Sequence, residues 1–234
     1  MFERLFDSRV RVVAGPISDL GSASLTQAEV VAIAGASEKR RREFATGRLL
    51  ARQVLAEFGQ ACCEVPAGHD RAPIWPEGFV GSISHTDSLC AVAVAQSSSG
   101  IAAIGLDIEE ARPLPSELRD EIMDHQERER LPFVDVNGVD LAAMILFSAK
   151  EAAYKCQYRL SEQFLEFSDL SVSVRLEDNT FAARFNRSVG PFEIDDCLEG
   201  RWQIVDGHIA TAAVKDAADV GSKTDAMKSA WRMR

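Results

Sequence analysis

Residues 101–109 read Ile-Ala-Ala-Ile-Gly-Leu-Asp-Ile-Glu, an apolar run that ends in two carboxylates. This pattern predicts a β-strand, in which successive side chains point to opposite faces. Asp107 and Glu109 would then share one face, about 7 Å apart at a rise of ~3.3 Å per residue, and Ile108 would lie on the other. Two interpretations stay open: a strand that has reached solvent, or an acidic pair that approaches one hard cation.

The composition of the 234-residue chain is that of an ordinary globular protein, large enough for one domain or two small ones. Lys and Arg number 26 against 36 Asp and Glu, so the net charge is -10. This acidity argues against a general nucleic-acid binder, because phosphate contacts need a positive field, and any basic site must be local. No secretory signal and no membrane-spanning run is visible. The five cysteines lack metal-type spacing and predict free thiols in a reducing cytoplasm.

A long arginine-rich helix is predicted at residues 37–58. Arg41, Arg48 and Arg52 fall within about 40° of one another on its surface, beside an apolar face. This stripe is either a solvated basic face or an anion clamp, since arginine presents a planar fork suited to phosphate. Arg40 projects roughly 80° from Arg48, so both meet one ligand only if it lies near the helix start.

The other elements are predicted from apolar periodicity and turn residues. Strands are expected at 9–13, 79–84, 89–95, 170–176, 180–186, 202–205 and 208–214, and long or charged helices at 118–130 and 140–158. Thr26 and Glu29 match a capping box, which predicts a short helix there. On the helix at 118–130, Leu118 and Ile122 are expected to face inward.

Polar groups at two further places have both an ordinary and a functional interpretation. His85 stands beside Ser84 at the end of a predicted strand, where a polar site or a structural histidine would fit. Glu151 and Lys155 lie one turn apart on the helix at 140–158, and so share a face. They are either a helix-surface ion pair or part of a site.

The order of long helix followed by strands occurs twice. It predicts an α+β fold made of a pseudo-twofold pair of similar halves, each a long helix packed on a small, mainly antiparallel sheet. The halves would comprise residues 1–112 and 113–216, followed by a tail at 217–234 that is either a loose helix or mobile. The active site is expected in the cleft between the halves, where ligand pockets often form.

Four motifs follow one another between residues 40 and 155. They are Arg40-x-x-Glu43-Phe44-x-x-Gly47-Arg48, Pro73-x-Trp75-Pro76-x-Gly78-x-Val80-Gly81-Ser82-Ile83-Ser84-His85, Gly105-x-Asp107-Ile108-Glu109 and Phe147-Ser148-x-Lys150-Glu151-Ala152-x-Tyr154-Lys155. Together they resemble the 4′-phosphopantetheinyl transferases. The chain looks most like the monomeric broad-specificity class that serves siderophore and other nonribosomal peptide or polyketide synthetases.

The resemblance implies that the serine hydroxyl of an apo carrier protein attacks the β-phosphate of coenzyme A, takes 4′-phosphopantetheine and releases adenosine 3′,5′-bisphosphate. Coenzyme A is then a co-substrate, and the partners are carrier proteins or carrier domains of nonribosomal peptide, polyketide or fatty-acid synthases. The implied cofactor is Mg²⁺, with Asp107, Glu109 and Glu151 as its ligands. Asp107, Glu151 and Lys155 are the implied catalytic residues, and Glu151 is the general base, directly or through a metal-bound water.

Further residues are implied to hold the phosphates of coenzyme A. They are Arg40, Arg48, Arg71, Ser84, His85, Lys150 and Lys155. Arg41 and Arg52 join this set on helical geometry alone. A monomer is expected, because the two halves would supply what a homodimeric relative builds from two chains. No nucleic-acid partner and no membrane span are expected, and the location is predicted to be cytoplasmic.

Two other classes of function fit parts of the sequence. A non-catalytic module that binds coenzyme A or a carrier protein could use the same fold, but it should lack an acidic ligand, and none of the three is missing. A nucleic-acid contact through residues 40–52 rests on the basic stripe alone and should depend on salt.

Overall fold

The computed structural model describes residues 1–19, 25–60, 63–136 and 138–220. The helices are α1 (Gln27–Ala32), α2 (Glu38–Glu57), α3 (Ser116–Ile122), α4 (His125–Arg130) and α5 (Ala142–Ser161), with 3₁₀ turns at Glu3–Leu5, Ser97–Ser99 and Phe167–Asp169. The strands are β1 (Val10–Pro16), β2 (Phe79–His85), β3 (Leu89–Gln96), β4 (Ile101–Glu110), β5 (Asp135–Val136), β6 (Val139–Asp140), β7 (Leu170–Arg175), β8 (Thr180–Phe185), β9 (Cys197–Val205) and β10 (His208–Asp216). Most of the predicted tail, 221–234, lies outside the described residues.

Two antiparallel sheets each support one long helix. The smaller sheet has the order β1-β3-β2, the larger has the order β4-β10-β9-β8-β7, and β5 and β6 form a separate hairpin. Ala51 and Leu55 of α2 pack with Val92 of the smaller sheet, and Ile145 and Ala152 of α5 pack on the larger one. The predicted α+β architecture is therefore confirmed, while a twofold relation between the halves stays a prediction.

The strand that carries Asp107 belongs to the larger sheet. β4 pairs along its length with β10, so that Asp107 lies opposite Thr211. The predicted halves 1–112 and 113–216 therefore do not separate the two sheets, which divide before β4 rather than after it. The reason is that β10 returns from the β9–β10 hairpin with a free edge, and β4 satisfies the backbone groups on that edge.

Two serines from β2 reach the other edge of β4. Ser82 Oγ accepts a hydrogen bond from Leu106 N at 3.0 Å, and Ser84 Oγ accepts one from Ile108 N at 3.2 Å. Hydroxyl groups thus satisfy buried backbone donors where the two sheets meet. This contact fixes Ser84 beside Asp107.

Gly105 allows α5 to lie directly against β4. A Cβ at this position would stand 1.8 Å from Ala152 O and 2.7 Å from Cys156 N. Gly105→Ala should therefore push the helix from the strand and lower the free energy of unfolding by about 3 kcal/mol, the upper part of the overpacking range. Urea unfolding measures the loss. Gly15→Ala is the control, because its Cβ would stand 3.6 Å from the Leu50 side chain; equal stability of the two variants would contradict the expectation.

The single helix predicted at 118–130 is wrong, because the chain forms α3 and α4 instead. A capping box begins α4: Asp124 Oδ1 accepts from Glu127 N, and Glu127 Oε2 accepts from Asp124 N, both at 2.8 Å. Ile122 is buried as predicted, but Leu118 is 40% exposed and does not face the core. No helix in the described parts of the chain is both long and apolar enough to cross a membrane.

Candidate active site

Asp107 is almost completely buried where the two sheets meet α5. Its Oδ1 accepts hydrogen bonds from Lys155 Nζ at 2.6 Å and Ser84 Oγ at 3.0 Å, and its Oδ2 accepts from Ser148 Oγ at 2.8 Å. Ser148 Oγ lies 2.9 Å from Thr211 Oγ1, which also donates to Ser148 O at 2.8 Å. Groups from β2, α5 and β10 thus fix the orientation of one carboxylate.

Two further carboxylates, Glu109 and Glu151, stand beside Asp107. Burial and repulsion by Asp107 raise the pKa of Glu109 to about 7. Burial also raises the pKa of Glu151, against the attraction of Lys155. Because one lysine faces three carboxylates, the cluster has surplus negative charge when all are ionised. Within the described ranges, no three acidic, His or Cys side chains converge tightly enough to hold a metal ion.

Lys155 is the cation of this acidic cluster. Lys155 forms its ion pair with Asp107, across the junction of the two sheets. The surface ion pair with Glu151, which the helical spacing allowed, does not form. Burial lowers the pKa of Lys155, but attraction to Asp107 and Glu151 outweighs burial and holds that pKa above its ordinary value. The lysine side chain stays 27% exposed, so it is less withdrawn from solvent than Asp107.

A second cluster joins the start of α2 to the end of β2. Arg40 Nη1 lies 2.7 Å from His85 Nε2 and 3.4 Å from Glu43 Oε2. Burial lowers the pKa of His85, and Arg40 lowers it further while Glu43 opposes the shift. A neutral imidazole is therefore the form that accepts a hydrogen bond from Arg40. Ser84 precedes His85 on β2, so this strand connects the cluster to Asp107.

Arg48 is a buried cation that pairs with no carboxylate among the described residues. It is 4% exposed, and its guanidinium lies 4.0 Å from the centre of the Phe44 ring. Burial lowers the pKa of Arg48 to about 10. Its Nε makes no hydrogen bond within the described part of the protein. Because buried donors are nearly always satisfied, this arginine is suited to an anionic ligand.

The predicted basic stripe is not one surface. Arg52 Nη1 binds both carboxylate oxygens of Glu29, at 2.7 and 2.6 Å, and Glu29 is completely buried. The phosphate contact inferred for Arg52 is therefore corrected: its charge balances Glu29 and holds α1 against α2. Arg41 is exposed, and its phosphate contact stays a prediction. The solvated-face interpretation fails at Arg48 and Arg52, which are both withdrawn from solvent.

The ammonium group of Lys150 is bonded to protein groups, which argues against the phosphate contact predicted for it. Only 2% of it is exposed, and its Nζ donates to Ile122 O at 2.8 Å, Glu127 Oε2 at 2.9 Å and Phe167 O at 2.9 Å. These bonds use all three donors of the ammonium group. The side chain therefore ties α5 to α3, α4 and the 3₁₀ turn before β7.

Arg71 lies in an exposed turn of the segment 63–78, with a left-handed backbone φ of 69°. The neighbouring Asp70 accepts a hydrogen bond from Tyr158 of α5 at 2.9 Å. The turn with Arg71 is thus attached to the helix that carries Lys155.

A cavity of about 460 Å³ opens beside Glu151. Tyr154 and the segment after α5 form much of its wall, including Phe164 and Phe167. The wall is largely apolar, whereas the Asp107 cluster at the neighbouring turn of α5 is charged. The cleft therefore offers an apolar compartment next to one suited to phosphates and cations.

The sequence matches two family models. Residues 28–95 match the 4′-phosphopantetheinyl transferase N-terminal domain, and residues 103–212 match the 4′-phosphopantetheinyl transferase superfamily. The 4′-phosphopantetheinyl transferase Npt of Nocardia iowensis is 36% identical over 195 residues, which cover 79% of this chain and 86% of the relative. The chain belongs to the 4′-phosphopantetheinyl transferase superfamily. The family that the four motifs predicted is thereby confirmed.

Two further relatives have similar identities, over 87% and 64% of this chain. The 4′-phosphopantetheinyl transferase Svp of Streptomyces mobaraensis is 34% identical over 208 residues, 87% of this chain and 83% of the relative. Enterobactin synthase component D of Escherichia coli (strain K12) is 35% identical over 159 residues, 64% of this chain and 73% of the relative. The gap between the two family models, 96–102, falls where the two sheets of this phosphopantetheinyl transferase divide.

Sequence reasoning missed several residues that build this phosphopantetheinyl transferase site. Ser148 belongs to the fourth motif but has no predicted role or partner, and Thr211 gives no signal at all. Ser82 and Ser84 alternate on β2 and so share a face, which is a signal that could have indicated a common polar contact. Glu43 lies within the first motif, yet its contact with His85 needs the fold.

Proposed function

We propose that this protein transfers 4′-phosphopantetheine from coenzyme A to the serine hydroxyl of apo carrier proteins and releases adenosine 3′,5′-bisphosphate. The observation that carries the proposal is the fixed Asp107 carboxylate of β4, with Lys155 against it and with Ser84 of β2 linking it to the neighbouring Arg40–His85 cluster. The serine oxygen bonds to the β-phosphorus, and the bond from that phosphorus to the bridging pyrophosphate oxygen breaks. Such a reaction depends mainly on positioning and charge neutralisation.

Glu151 is the proposed general base for the serine proton. A carboxylate whose pKa is raised by burial holds a proton more readily near neutral pH, as a base requires. Lys155 is proposed to donate to the pyrophosphate as negative charge collects on the leaving group. Its ammonium group already bridges Asp107 and Ser84, at 2.6 and 3.2 Å, which holds it at the centre of the site.

The phosphates of coenzyme A are proposed to bind along β2 and the start of α2. The unsatisfied Nε of Arg48 and the exposed Arg40 support this assignment. Residues proposed to contact the phosphates are Arg40, Arg48, Arg71, Ser84, His85 and Lys155.

Mg²⁺ is part of the proposal, with Asp107, Glu109 and Glu151 as ligands that would have to move together on binding, because their carboxylates do not already converge on one point. The donor set is entirely oxygen, which Mg²⁺ prefers, and it leaves coordination positions for phosphate oxygens. The surplus charge of three carboxylates against one lysine also fits a divalent cation. When bound, Mg²⁺ would neutralise charge that develops on the transferred phosphate.

The carrier is proposed to belong to siderophore or other nonribosomal peptide synthesis. The similarity to an enterobactin synthase component supports this assignment, while polyketide and fatty-acid carriers are further outcomes of the same assay. Cys63, Cys90, Cys156 and Cys197 are free thiols, which supports a reducing, cytoplasmic location. A monomer is proposed because both sheets that build the site come from one chain.

Mass spectrometry of apo carrier domains tests the proposal directly. Incubation with coenzyme A and Mg²⁺ should add the mass of one phosphopantetheine group to a peptidyl, aryl or acyl carrier. Calorimetry run in parallel should show binding of coenzyme A. Binding without any mass gain on several carriers would instead favour a non-catalytic coenzyme A-binding module.

The effect of Mg²⁺ on thermal stability should depend on the protonation of Glu109. Its pKa is raised from 4.5 to about 7, so the stability that its proton contributes is present below about pH 4.5 and lost as pH rises to about 7. A cation must displace this proton at lower pH, whereas the ionised carboxylate binds it freely above pH 7. We therefore expect Mg²⁺ to raise the unfolding temperature more at about pH 8 than at about pH 6.

Differential scanning fluorimetry of the wild type and Glu109→Gln measures this difference. The variant should lose the pH dependence of the Mg²⁺ effect. Glu110→Gln, which removes a carboxylate from the opposite face of β4, should keep it. A Mg²⁺ effect that is equal at both pH values in the wild type would contradict the assignment of Glu109.

A further inference from the structure

Arg71 occupies a backbone conformation that its own side chain does not favour. Its φ of 69° lies in the left-handed region, which residues other than Gly, Asn and Asp rarely adopt. The turn is closed by Gly68 N donating to Ala72 O at 2.8 Å and Arg71 N donating to Gly68 O at 3.0 Å. We expect further contacts, besides these two backbone hydrogen bonds, to stabilise the left-handed conformation of Arg71.

Asp70 supplies that support through both of its carboxylate oxygens. Oδ1 accepts from Ala72 N at 3.0 Å, within the turn, and Oδ2 accepts from Tyr158 OH at 2.9 Å, on α5. The bond with Tyr158 lowers the pKa of Asp70, so the carboxylate stays ionised as an acceptor. Across the described residues, this is the one hydrogen bond between the segment 63–78 and α5.

Tyr158 is itself held in place on the face of α5 that carries the site. Its ring lies 5.6 Å from the ring of Tyr154, and it follows Lys155 by three residues. The side chain of Arg71, in contrast, makes no hydrogen bond or ion pair with another described residue. Its guanidinium therefore keeps its donors for a ligand.

We propose that Tyr158 and Asp70 are a pair of positioning residues that holds Arg71 ready for an anionic coenzyme phosphate. This inference rests on the proposed function. Tyr158 fixes the position of the turn relative to the helix that carries Glu151 and Lys155. The arginine that contacts the coenzyme is thereby held at a constant position relative to the residues that perform the transfer. The pair acts through the backbone of Arg71 and does not touch the reacting atoms.

Removal of one hydroxyl group tests the inference. Tyr158→Phe keeps the ring contact with Tyr154 and should weaken calorimetric binding of coenzyme A by about fivefold, the typical net effect of one hydrogen bond. Hydrogen exchange at the Arg71 and Ala72 amides should become faster. The loss of affinity should disappear in an Arg71→Ala background, which a merely structural role for Tyr158 would not produce.

Substitutions of Asp70 separate positioning from simple electrostatics. Asp70→Ala removes a negative charge near an anionic ligand, so electrostatics alone would tighten binding, whereas loss of positioning would weaken it. Asp70→Asn should restore most of the affinity, because its Oδ1 still accepts from Ala72 N and its Nδ2 can donate to Tyr158. Asp178→Ala is the matched control, since it removes an exposed carboxylate that bonds Thr180 in the distant β7–β8 turn.

The outcomes distinguish this inference from the proposed function. Weaker binding in Tyr158→Phe and Asp70→Ala, with faster exchange in the turn, supports the positioning pair. Unchanged or tighter binding in either variant, while the wild type modifies a carrier, overturns the pair but leaves the transferase proposal intact. Failure of the wild type to bind coenzyme A would overturn both.

Discussion

Asp107→Asn is expected to abolish phosphopantetheine transfer while the protein stays folded. Asp107 is the buried carboxylate on which Lys155, Ser84 and Ser148 converge. Asparagine keeps the shape but removes the charge that attracts both a cation and the ammonium group. Because metal-assisted charge stabilisation is worth several kcal/mol, a loss of about 4 kcal/mol would slow transfer by about 10³-fold. Mass spectrometry of a carrier over time measures the rate.

The choice of asparagine matters because alanine would leave three buried donors without an acceptor. Each unsatisfied group costs about 1–3 kcal/mol, so Asp107→Ala would confuse lost catalysis with lost stability. In Asp107→Asn, Ser148 Oγ can turn toward Thr211 Oγ1, which already lies 2.9 Å away, and accept from the amide.

Circular dichroism and urea unfolding should show that Asp107→Asn retains its fold. The control is Glu110→Gln, whose carboxylate lies on the other face of β4 beside Arg112, and which should keep activity within about twofold because surface charges contribute little. A folded Asp107→Asn variant that keeps more than about a tenth of wild-type activity would refute the role of Asp107. Its loss of transition-state stabilisation would then be less than ~1.4 kcal/mol, the energy that corresponds to a tenfold change in rate.

Local signals in the sequence were sufficient for most elements and for the family. The capping box at Thr26 and Glu29 forms as predicted, because both partners lie within one turn. The β9–β10 hairpin turns at Asp206 and Gly207, whose φ values of 49° and 75° suit a tight turn. Alternation placed Asp107 on one face of its strand. These features depend on neighbours that are close in the chain, so spacing alone reveals them.

Contacts between distant segments could not be read from the sequence. The pairing of β4 with β10 joins strands about a hundred residues apart, and nothing in either strand specifies its neighbour. Helical periodicity predicts the face of the helix on which Arg52 lies, but it does not predict the partner of Arg52. That partner, Glu29, lies on another helix. The cation nearest Asp107 came from the second half for the same reason. Burial and tertiary partners, rather than motif membership, decide what each charged residue does.

Lys150 is the clearest case of a residue whose partners could not be read from the sequence. The second large effect is expected for its ion pair with Glu127. Glu127→Gln should lower the free energy of unfolding by about 3–5 kcal/mol, because it leaves the Lys150 ammonium uncompensated in the interior. The two side chains are 2% and 3% exposed and lie 2.9 Å apart. Glu127 also accepts from Val172 N of β7 at 2.7 Å, so the substitution weakens this bond as well. Urea unfolding measures the change.

Replacement of both Lys150 and Glu127 measures the interaction energy between the two side chains, apart from the contacts that each makes with other residues. Lys150→Met should also destabilise the protein, since it leaves the Glu127 carboxylate without its cation. The double variant Lys150→Met with Glu127→Gln should be less destabilised than the sum of the single variants, by about 1–3 kcal/mol of coupling for residues in direct contact. Lys39→Met is the surface control: its partner Asp87 is exposed, and its loss should change stability by about 1 kcal/mol or less.

Binding of adenosine 3′,5′-bisphosphate then decides between the two roles of Lys150. A phosphate contact would make Lys150→Met bind this nucleotide much more weakly while its stability stayed near that of the wild type. A buried structural pair predicts the reverse, with large destabilisation and nearly unchanged nucleotide affinity at a temperature where the variant is folded. All three donors of Lys150 are used by Ile122, Glu127 and Phe167, so a phosphate could bind there only after a carbonyl or carboxylate lost its own partner.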